Sequence, residues 1–406
     1  MRTWYSAGEF SLTSSSDQTF HRRLAVLSEI FPPVKGGSGK WLYEIYRRFP
    51  NDTVRFVVGE HEDATNFDAH NASLDLHRMP IHLVDWGTFK PRSCWRYVKR
   101  LFAVRRCTQE IGIDEVHAAR VLPEGWIAYL MRKLFNLPFV VYVHGEDVST
   151  ATWSREHKFM VQRVLNNAKM IVANSQNTAR VLERDYGVEC QLLYPGVDTG
   201  YYIPSAPDIR VRSRLGWGDR PTILTVGRLQ RRKGHDNMIR ALQRLKQEFP
   251  NVLYAICGKG EEEQNLLELT QSLKLEEHVL FMGETSDQDL LCAYQQSTVF
   301  ALPNREVDRD FEGFGMVLVE AQSCARPVLA GDSGGTRETM VVGKTGLIVD
   351  CTDVGRIADA VSELLSDPGR CVAMGEHGRK HVVSRFDWEL LASQSAQLFL
   401  GENRTR

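Results

Sequence analysis

Short apolar runs recur along this chain and alternate with stretches whose apolar residues follow helical spacing. The first run is RLAVLSEI (23–30), and the next stretch, GKWLYEIYRRFP (39–50), places Trp41, Leu42 and Ile45 on one side of a helix. Further runs, most of them closed by Gly, Asn or Pro, are VRFVVGE (54–60), FVVYVHGED (139–147), AKMIVANS (168–175), CQLLYPG (190–196), TILTVGR (222–228), NVLYAICGKG (251–260), HVLFMG (278–283), TVFALPN (298–304), RPVLAG (326–331) and TGLIVD (345–350). Strands that alternate with helices indicate βαβ units and parallel sheets, so the predicted fold class is α/β.

The alternation weakens over residues 197–220, VDTGYYIPSAPDIRVRSRLGWGDR, which are rich in Gly, Pro and polar residues. We therefore predict two α/β domains of similar size, one on each side of this segment. Parallel sheets bind their ligands beyond the carboxyl ends of the strands. The cleft between two facing sheets is thus the expected functional site.

Composition excludes several classes of protein. The formal net charge of the 406-residue chain is −1, so no overall field attracts nucleic acid. No apolar run reaches the roughly 18–20 residues that cross a bilayer. Residues 1–22 are polar and lack the apolar middle of a signal peptide, which predicts a disordered leader or an over-extended start. The eight cysteines form no CxxC pair and show no zinc spacing, which predicts buried thiols in a reducing, cytoplasmic compartment.

One segment departs strongly from this even charge, because residues 90–106 carry seven basic side chains and no acid. In helical projection one face holds Arg92, Arg96, Lys99, Arg100 and Arg106. The opposite face holds Trp95, Val98, Leu101, Phe102 and Val104. A basic amphipathic helix with Trp at its edge suits an anionic membrane surface. The alternative, a helix packed on the core with its charges in solvent, stays open.

The segment VKGGSGKW (34–41) resembles a nucleotide P-loop only in part. That loop requires Gly at the position of Val34 and Ser or Thr at the position of Trp41. What remains is a glycine turn between a strand and a helix, whose backbone N–H groups can approach a phosphate. A tight turn without a ligand is the alternative.

Two further strand ends carry residues suited to the cleft. VGRLQRRKG (226–234) places Arg228 and Lys233 just after a predicted strand. The planar guanidinium of the arginine and the compact charge of the lysine both suit a diphosphate. Arg231 and Arg232 are compatible with solvent. VYVHGED (141–147) ends a strand at His144, which is placed to donate to a sugar hydroxyl or a developing charge. A surface loop and a packed histidine are the respective alternatives.

The segment DFEGFGMVLVE (310–320) brackets an apolar run with two carboxylates, Glu312 and Glu320. MVLVEAQSCA is predicted to be a helix, so Gly313 and Gly315 lie at its start, where free N–H groups attract anions. Carboxylates accept paired hydrogen bonds from vicinal hydroxyls, such as those of a sugar or a ribose. A glycosidase pair of carboxylates is the rival interpretation, but it requires no cationic clamp for phosphate.

In this order, the segments resemble the retaining glycosyltransferases of family 4, also called glycosyl transferase group 1. The resemblance covers about residues 23–395 and implies the GT-B architecture, two Rossmann-like parallel-sheet domains that face a cleft. It implies that Arg228 and Lys233 bind the donor diphosphate, that Glu312 contacts the donor sugar and that Glu320 contacts the ribose. It also assigns donor contacts to His144, near the reacting centre, and to Gly37, Gly258, Gly315, Met316 and Val317.

The resemblance also implies the domain boundaries and the role of each domain. Residues 23–200 would form the acceptor-side domain, 201–220 a linker, 221–385 the nucleotide-sugar domain, and 386–406 a closing helix that returns to the first domain, followed by a tail. The loop NREVDRD (304–310) is longer than in many members. Similar loops occur in enzymes that resemble phosphatidylinositol mannosyltransferases, which favours mannose.

The expected activity is retaining transfer of a hexose from a GDP- or UDP-sugar to a lipid-linked or glycan hydroxyl in cell-surface polysaccharide or glycolipid synthesis. No cofactor, catalytic metal or nucleic acid is expected. The expected location is the cytoplasm, with peripheral contact at the inner face of an anionic plasma membrane. A non-catalytic protein that binds nucleotide sugars and a GT-B epimerase are the alternatives.

Overall fold

The computed structural model describes residues 22–34, 36–50, 52–83, 86–88 and 90–400. The predicted leader, apart from Arg22, and the last six residues of the predicted tail lie outside the described residues.

The first half of the chain forms a sheet of seven parallel strands. The strands are β1 (Leu24–Ser28), β2 (Val54–Gly59), β3 (Asp75–Met79), β4 (Glu115–Ala118), β5 (Phe139–Val143), β6 (Met170–Ala173) and β7 (Gln191–Leu192). Their order across the sheet is β3-β2-β1-β4-β5-β6-β7. Because the chain begins in the middle of this sheet and then extends it in both directions, the order reverses between β1 and β4, beside the predicted glycine turn.

The second half repeats this architecture with six parallel strands. The strands are β8 (Thr222–Val226), β9 (Leu253–Cys257), β10 (Val279–Gly283), β11 (Val299–Leu302), β12 (Val328–Gly331) and β13 (Gly346–Val349). Their order is β10-β9-β8-β11-β12-β13. The predicted α/β class with two Rossmann-like parallel-sheet domains is therefore confirmed.

Helices cover both faces of each sheet. Those of the first half are α1 (Gly37–Tyr46), α2 (Ala64–His70), α3 (Pro91–Gln109), α4 (Trp126–Phe135), α5 (Glu146–Ser149), α6 (Arg155–Leu165) and α7 (Gln176–Tyr186). Those of the second half are α8 (Ile209–Arg214), α9 (His235–Glu248), α10 (Glu263–Ser272), α11 (Asp287–Gln296), α12 (Met316–Ser323), α13 (Val354–Ser366), α14 (Pro368–Arg385) and α15 (Trp388–Leu400). Short π or 3₁₀ turns lie at Val121–Gly125, Thr150–Trp153, Arg231–Lys233 and Thr336–Thr339.

Two strands, β3 and β4, have no counterpart in the predicted set. Their sequences, DLHRM and EVHA, are too polar to form an apolar run. β4 is nevertheless fully buried, and its Glu115 forms an ion pair with Lys169 at 2.5 Å. Its His117 bonds to the hydroxyl of Tyr46. Burial of these polar groups is tolerated because partners from distant segments satisfy them.

The last helix, α15, returns to the first domain. Its Trp388 and Phe399 are buried in the same cluster as Trp41 and Tyr46 of α1. The rings of Phe399 and Tyr46 stack with centroids 6.2 Å apart. Phe311, from the second half, is in turn buried among core residues of the first half. Both the last helix and the loop before Glu312 therefore bury aromatic rings in the first domain.

No helix among the described residues combines the length and the apolar character required to cross a membrane. All eight cysteines lie in the described part of the chain as free thiols, and six of them are buried.

Candidate active site in the cleft

Glu312 lies at the centre of a nearly buried charge cluster beyond the carboxyl end of β11. Its side chain is 12% exposed and accepts a hydrogen bond at 2.8 Å from Nη1 of Arg232. Lys233 Nζ donates to the same carboxylate oxygen. Burial alone would raise the pKa of Glu312, but the charges of Lys233 and Arg232 outweigh burial and lower it to about 2. Glu312 is therefore a carboxylate at every ordinary pH.

The ends of β8 and β9 meet this cluster. A Cβ atom placed on Gly227 would lie 3.9 Å from Nζ of Lys233, so the ammonium rests against the end of β8. Gly258 has φ +140, and a Cβ atom there would lie 2.0 Å from the carbonyl oxygen of Gly227. Glycine at 258 is thus required for the two strand ends to pack. Gly258 therefore packs against Gly227, Gly227 lies beside Lys233, and Lys233 pairs with Glu312.

Arg232 is one of the residues of the site that the sequence pattern does not reveal. It was considered compatible with solvent, yet its guanidinium bridges three carboxylates: Glu312, Glu146 at 3.1 Å and Asp310 at 3.2 Å. Burial raises the pKa of Asp310 to about 6. The negative charges of Glu146 and Glu312 also raise it, whereas the positive charge of Arg232 lowers it. Because Glu146 belongs to α5 of the first domain, Arg232 also connects the two domains.

Arg228 follows the end of β8 and is exposed. Its side chain forms no ion pair or hydrogen bond with any described residue. Arg228 and Lys233 therefore differ sharply, since Lys233 is buried and paired with Glu312 whereas Arg228 is a cation without a carboxylate partner in the described part of the chain.

Glu320 lies on α12 and also has its oxygens occupied. The hydroxyl of Tyr294, on α11, donates to Oε2 at 2.8 Å. Nζ of Lys40, on α1 of the other domain, donates to Oε1 at 2.7 Å. The two predicted glutamates are thus each paired with cations, one within the second domain and one across the cleft.

The start of α12 faces the start of α1. Gly315 is the N-cap of α12, so the N–H groups of Met316 and Val317 lie in its first turn, where no intrahelical acceptor is available. A Cβ atom on Gly37 would lie 3.5 Å from Sδ of Met316. The glycine loop and the N-terminus of α12 are therefore adjacent, as the donor contacts assigned to them require.

His144 follows β5 and faces the same region. Its Nε2 donates to the carbonyl oxygen of Ala119 at 2.7 Å, because a carbonyl can only accept. The other nitrogen, Nδ1, forms no hydrogen bond within the described residues. The carbonyl oxygen of His144 itself lies against Gly313, where a Cβ atom would be 2.3 Å away. His144 is thus at the line of contact between the domains, with one ring nitrogen free.

The residues that the basic helix α3 buries differ in part from those that its helical projection predicts. It packs on the core through Leu101 and Val104, as its projection predicts, and also through Tyr97, which the projection does not include. Trp95 and Phe102, which were assigned to that face, are instead 59% and 58% exposed. Arg92, Arg96, Lys99 and Arg106 are exposed beside them, whereas Arg100 is half-buried. The projection was wrong for the two aromatic residues because Trp95 lies four positions before Lys99 and Phe102 four positions before Arg106, and residues four apart share one face of a helix.

No group of three or more His, Cys, Asp or Glu side chains among residues of the described ranges is arranged to hold a metal ion.

Comparisons with known proteins agree with this architecture. Residues 35–201 match the family model of Glycosyltransferase Family 4, and residues 209–381 match that of Glycosyl transferases group 1. A GDP-mannose-dependent alpha-(1-6)-phosphatidylinositol monomannoside mannosyltransferase of Mycolicibacterium smegmatis is 35% identical over 396 residues, which covers 94% of this chain and 100% of that protein. The protein of the same description from Mycobacterium tuberculosis is 31% identical, over 95% of this chain and 100% of its own length.

Solved structures show the same fold. Anabaena HepE in complex with UDP and glucose has a TM-score of 0.79 and 20% identity, over 93% of this chain and 99% of that one. Sucrose-phosphate synthase from Thermosynechococcus elongatus has a TM-score of 0.78 and 22% identity, over 93% and 98% of the two chains.

Two parallel-sheet domains that close on a cleft lined by cations and carboxylates define a glycosyltransferase of GT-B architecture. Together with relatives that are more than 30% identical over nearly the whole length, the two family matches show that the chain belongs to glycosyltransferase family 4.

Proposed function

We propose that this glycosyltransferase transfers mannose from GDP-mannose, with retention of anomeric configuration, to a hydroxyl of a phosphatidylinositol mannoside. The main support is the pair of glutamates held by cations in the cleft, Glu312 by Lys233 and Arg232 and Glu320 by Lys40. Relatives whose described activity is mannosyl transfer to phosphatidylinositol monomannoside align over the whole cleft region. The proposed donor, GDP-mannose, and the proposed class of acceptor are those that the descriptions of these relatives name.

Three groups would bind the donor's diphosphate. Arg228 has no carboxylate partner in the described ranges, Lys233 lies at the end of β8, and the first turn of α12 would offer its free N–H groups. Positive groups fixed in a site that excludes water stabilise negative charge without reorganising. They would therefore stabilise the charge that develops on the diphosphate as its bond to the sugar breaks.

The acceptor hydroxyl would attack the anomeric carbon on the face from which the diphosphate departs. The bond from that carbon to the diphosphate breaks while the new bond to the hydroxyl oxygen forms. Because both events take place on one face, the departing phosphate oxygen is placed to take the hydroxyl proton. Nδ1 of His144 and the carboxylate of Glu312 would orient the sugar through its hydroxyls, and no covalent nucleophile is assigned.

The cheapest test of the donor is ligand-induced stabilisation. GDP is expected to raise the melting temperature of the full chain more than equal concentrations of UDP or ADP, because at equal concentration the ligand that binds the folded state more tightly stabilises it more. Incubation with labelled GDP-mannose and vesicles containing phosphatidylinositol monomannoside is then expected to yield an α-linked product. A larger shift with UDP contradicts the donor. Donor binding without product favours the non-catalytic alternative, and a new sugar nucleotide formed without acceptor favours an epimerase.

Contact with the membrane would deliver such an acceptor. The exposed side of α3 combines Trp95 and Phe102 with Arg92, Arg96 and Lys99, and Nζ of Lys99 lies 5.7 Å from the ring centre of Trp95. Aromatic residues beside cations are typical of surfaces that bind anionic lipid. We therefore retain peripheral membrane contact, at the cytoplasmic face, as part of the proposal.

Reversal of charge on α3 tests this contact. The triple variant R92E/R96E/K99E is expected to lose at least about 100-fold in partitioning to anionic vesicles, because each cation near the surface contributes about 1 kcal/mol. Flotation of the full chain with phosphatidylserine vesicles measures the loss. The control R210E/K344E/K380E makes the same charge change at exposed positions of the second domain and is expected to float like the unchanged protein. Equal flotation of the α3 variant and the unchanged protein would contradict the contact.

A further inference from the structure

Lys40 lies against Glu320, the residue to which the resemblance assigns the donor's ribose. It belongs to the segment GGSGKW, at the start of α1 in the first domain, whereas Glu320 is on α12 of the second. Its ammonium donates to Oε1 of Glu320 at 2.7 Å, and the ring centre of Tyr202 is 5.2 Å from Nζ. The Glu320 side chain is only 7% exposed, and that of Lys40 is 35% exposed. Lys40 thus separates the carboxylate from the open cleft.

We propose that Lys40 is a specificity-determining residue that competes with the ribose diol of the donor for Glu320. This inference rests on the proposed function, in which Glu320 binds the ribose. In the donor-free protein, Lys40 neutralises Glu320 and connects the two domains. When the donor binds, its 2′- and 3′-hydroxyls replace the ammonium, so only a nucleotide with an intact ribose diol removes Lys40 from the carboxylate.

Competition follows from the limited space around Glu320. Oε2 is already bonded to the buried hydroxyl of Tyr294, and Oε1 is bonded to Lys40. A diol that bonds to both oxygens must approach from the cleft, where the ammonium now lies. Because only 7% of the Glu320 side chain is exposed, the diol and the ammonium compete for the same open side of the carboxylate.

Lys40 is charged while it is paired with Glu320. Burial acts to lower its pKa, but the carboxylate of Glu320 and the neighbouring Tyr202 outweigh burial and raise the pKa above the ordinary value. Glu44, one turn further along α1, adds to the same effect. The displaced group is therefore a cation, and without it the buried carboxylate has no ion-pair partner among the residues that the structure describes.

The consequence differs from that of an ordinary structural ion pair. Removal of a structural cation would weaken the folded protein and either weaken donor binding or leave it unchanged. Removal of a competitor leaves Glu320 in need of a partner that the ribose diol can supply. Donor binding should then become tighter, and only for ligands that carry the diol.

The test compares GDP with 2′,3′-dideoxy-GDP by titration calorimetry of the full chain. Lys40→Met is expected to bind GDP about 10-fold more tightly than the unchanged protein, in line with the release of one charge-assisted hydrogen bond. Its affinity for dideoxy-GDP is expected to be unchanged. Lys40→Gln, which retains a neutral donor, should show a smaller gain for GDP and covers the case in which Lys40→Met does not fold. Arg47→Met, which removes a cation from the end of the same helix, should change neither affinity.

The outcomes distinguish failure of the role proposed for Lys40 from failure of the proposed function. Weaker GDP binding by both Lys40 variants, or an equal change for GDP and dideoxy-GDP, overturns the role of Lys40 but leaves the proposed function standing. Failure of the unchanged protein to bind GDP, UDP or ADP overturns the proposed function, and the competition with it.

Discussion

Replacement of Glu312 by Gln is expected to reduce transfer at least about 10²–10³-fold, the scale on which loss of one group that stabilises a transition state acts. The amide keeps the size of the carboxylate but removes the charge that Lys233 and Arg232 share. Lys233, which is buried and has no other ion-pair partner among the described residues, would then be held without its counter-charge. The measurement is kcat/KM with GDP-mannose and the glycolipid acceptor.

The controls for this prediction come from the same cluster and the same loop. Lys233→Met removes the other half of the pair and is expected to cause a loss of the same order. Glu306→Gln changes an exposed carboxylate in the loop before Glu312 and is expected to leave turnover unchanged. Thermal unfolding checks that each variant is folded, since a buried pair that loses one partner destabilises by about 3–5 kcal/mol. Near-normal turnover in both Glu312→Gln and Lys233→Met would contradict the role given to this cluster.

Strand-end residues were predictable because parallel sheets bring all their carboxyl ends to one edge. Gly258, Lys233 and Glu312 lie in different βα units, yet each follows a strand, and the structure joins them in one chain of contacts. The sequence pattern does not indicate which cations form ion pairs. Arg231 and Arg232 are adjacent in sequence, but the 3₁₀ turn Arg231–Lys233 leaves Arg231 exposed and points Arg232 at three carboxylates.

Lys40 was missed for a related reason. Its segment was interpreted through its glycines, whose meaning is local, whereas the partner of Lys40 lies 280 residues away in the other domain. A contact of this kind depends on how the two domains close, which no local pattern encodes. The same limit explains β4, a polar segment that becomes a central strand because Lys169 and Tyr46 satisfy its buried side chains.

Several polar contacts join the two domains across the cleft. Both oxygens of Glu338, in the second domain, accept hydrogen bonds from the backbone N–H groups of Gln176 and Asn177, at the start of α7 in the first. A carboxylate at a helix N-terminus is favourably placed. Arg309 pairs with Asp185 at 2.8 Å, again across the cleft. Contact between the domains therefore depends on specific polar pairs, and at Gly313 a Cβ atom would meet the backbone of the first domain.

Gly313→Ala is expected to reduce kcat/KM by about 100-fold while the protein stays folded, because a misplacement of about 1 Å at a reacting centre can cost that much. A Cβ atom at residue 313 would lie 2.3 Å from the carbonyl oxygen of His144 and 2.7 Å from Nδ2 of Asn174. Both neighbours belong to the first domain and are bonded to each other at 3.0 Å, so neither can move aside alone. The methyl group must therefore separate the domains next to His144 and Glu312.

This variant tests closure without disturbing the second domain itself. The φ angle of Gly313 is outside the left-handed region, so alanine imposes no backbone strain there. Gly369→Ala, near the start of α14, adds a methyl group at ordinary contact distance and is expected to match the unchanged protein in both turnover and melting temperature. Small-angle scattering in the presence of GDP should show a more open shape for Gly313→Ala than for Gly369→Ala. If Gly313→Ala instead turns over normally, the approach of His144 to the glutamate loop is not needed for transfer, and the assignment of His144 to the reacting centre is lost with it.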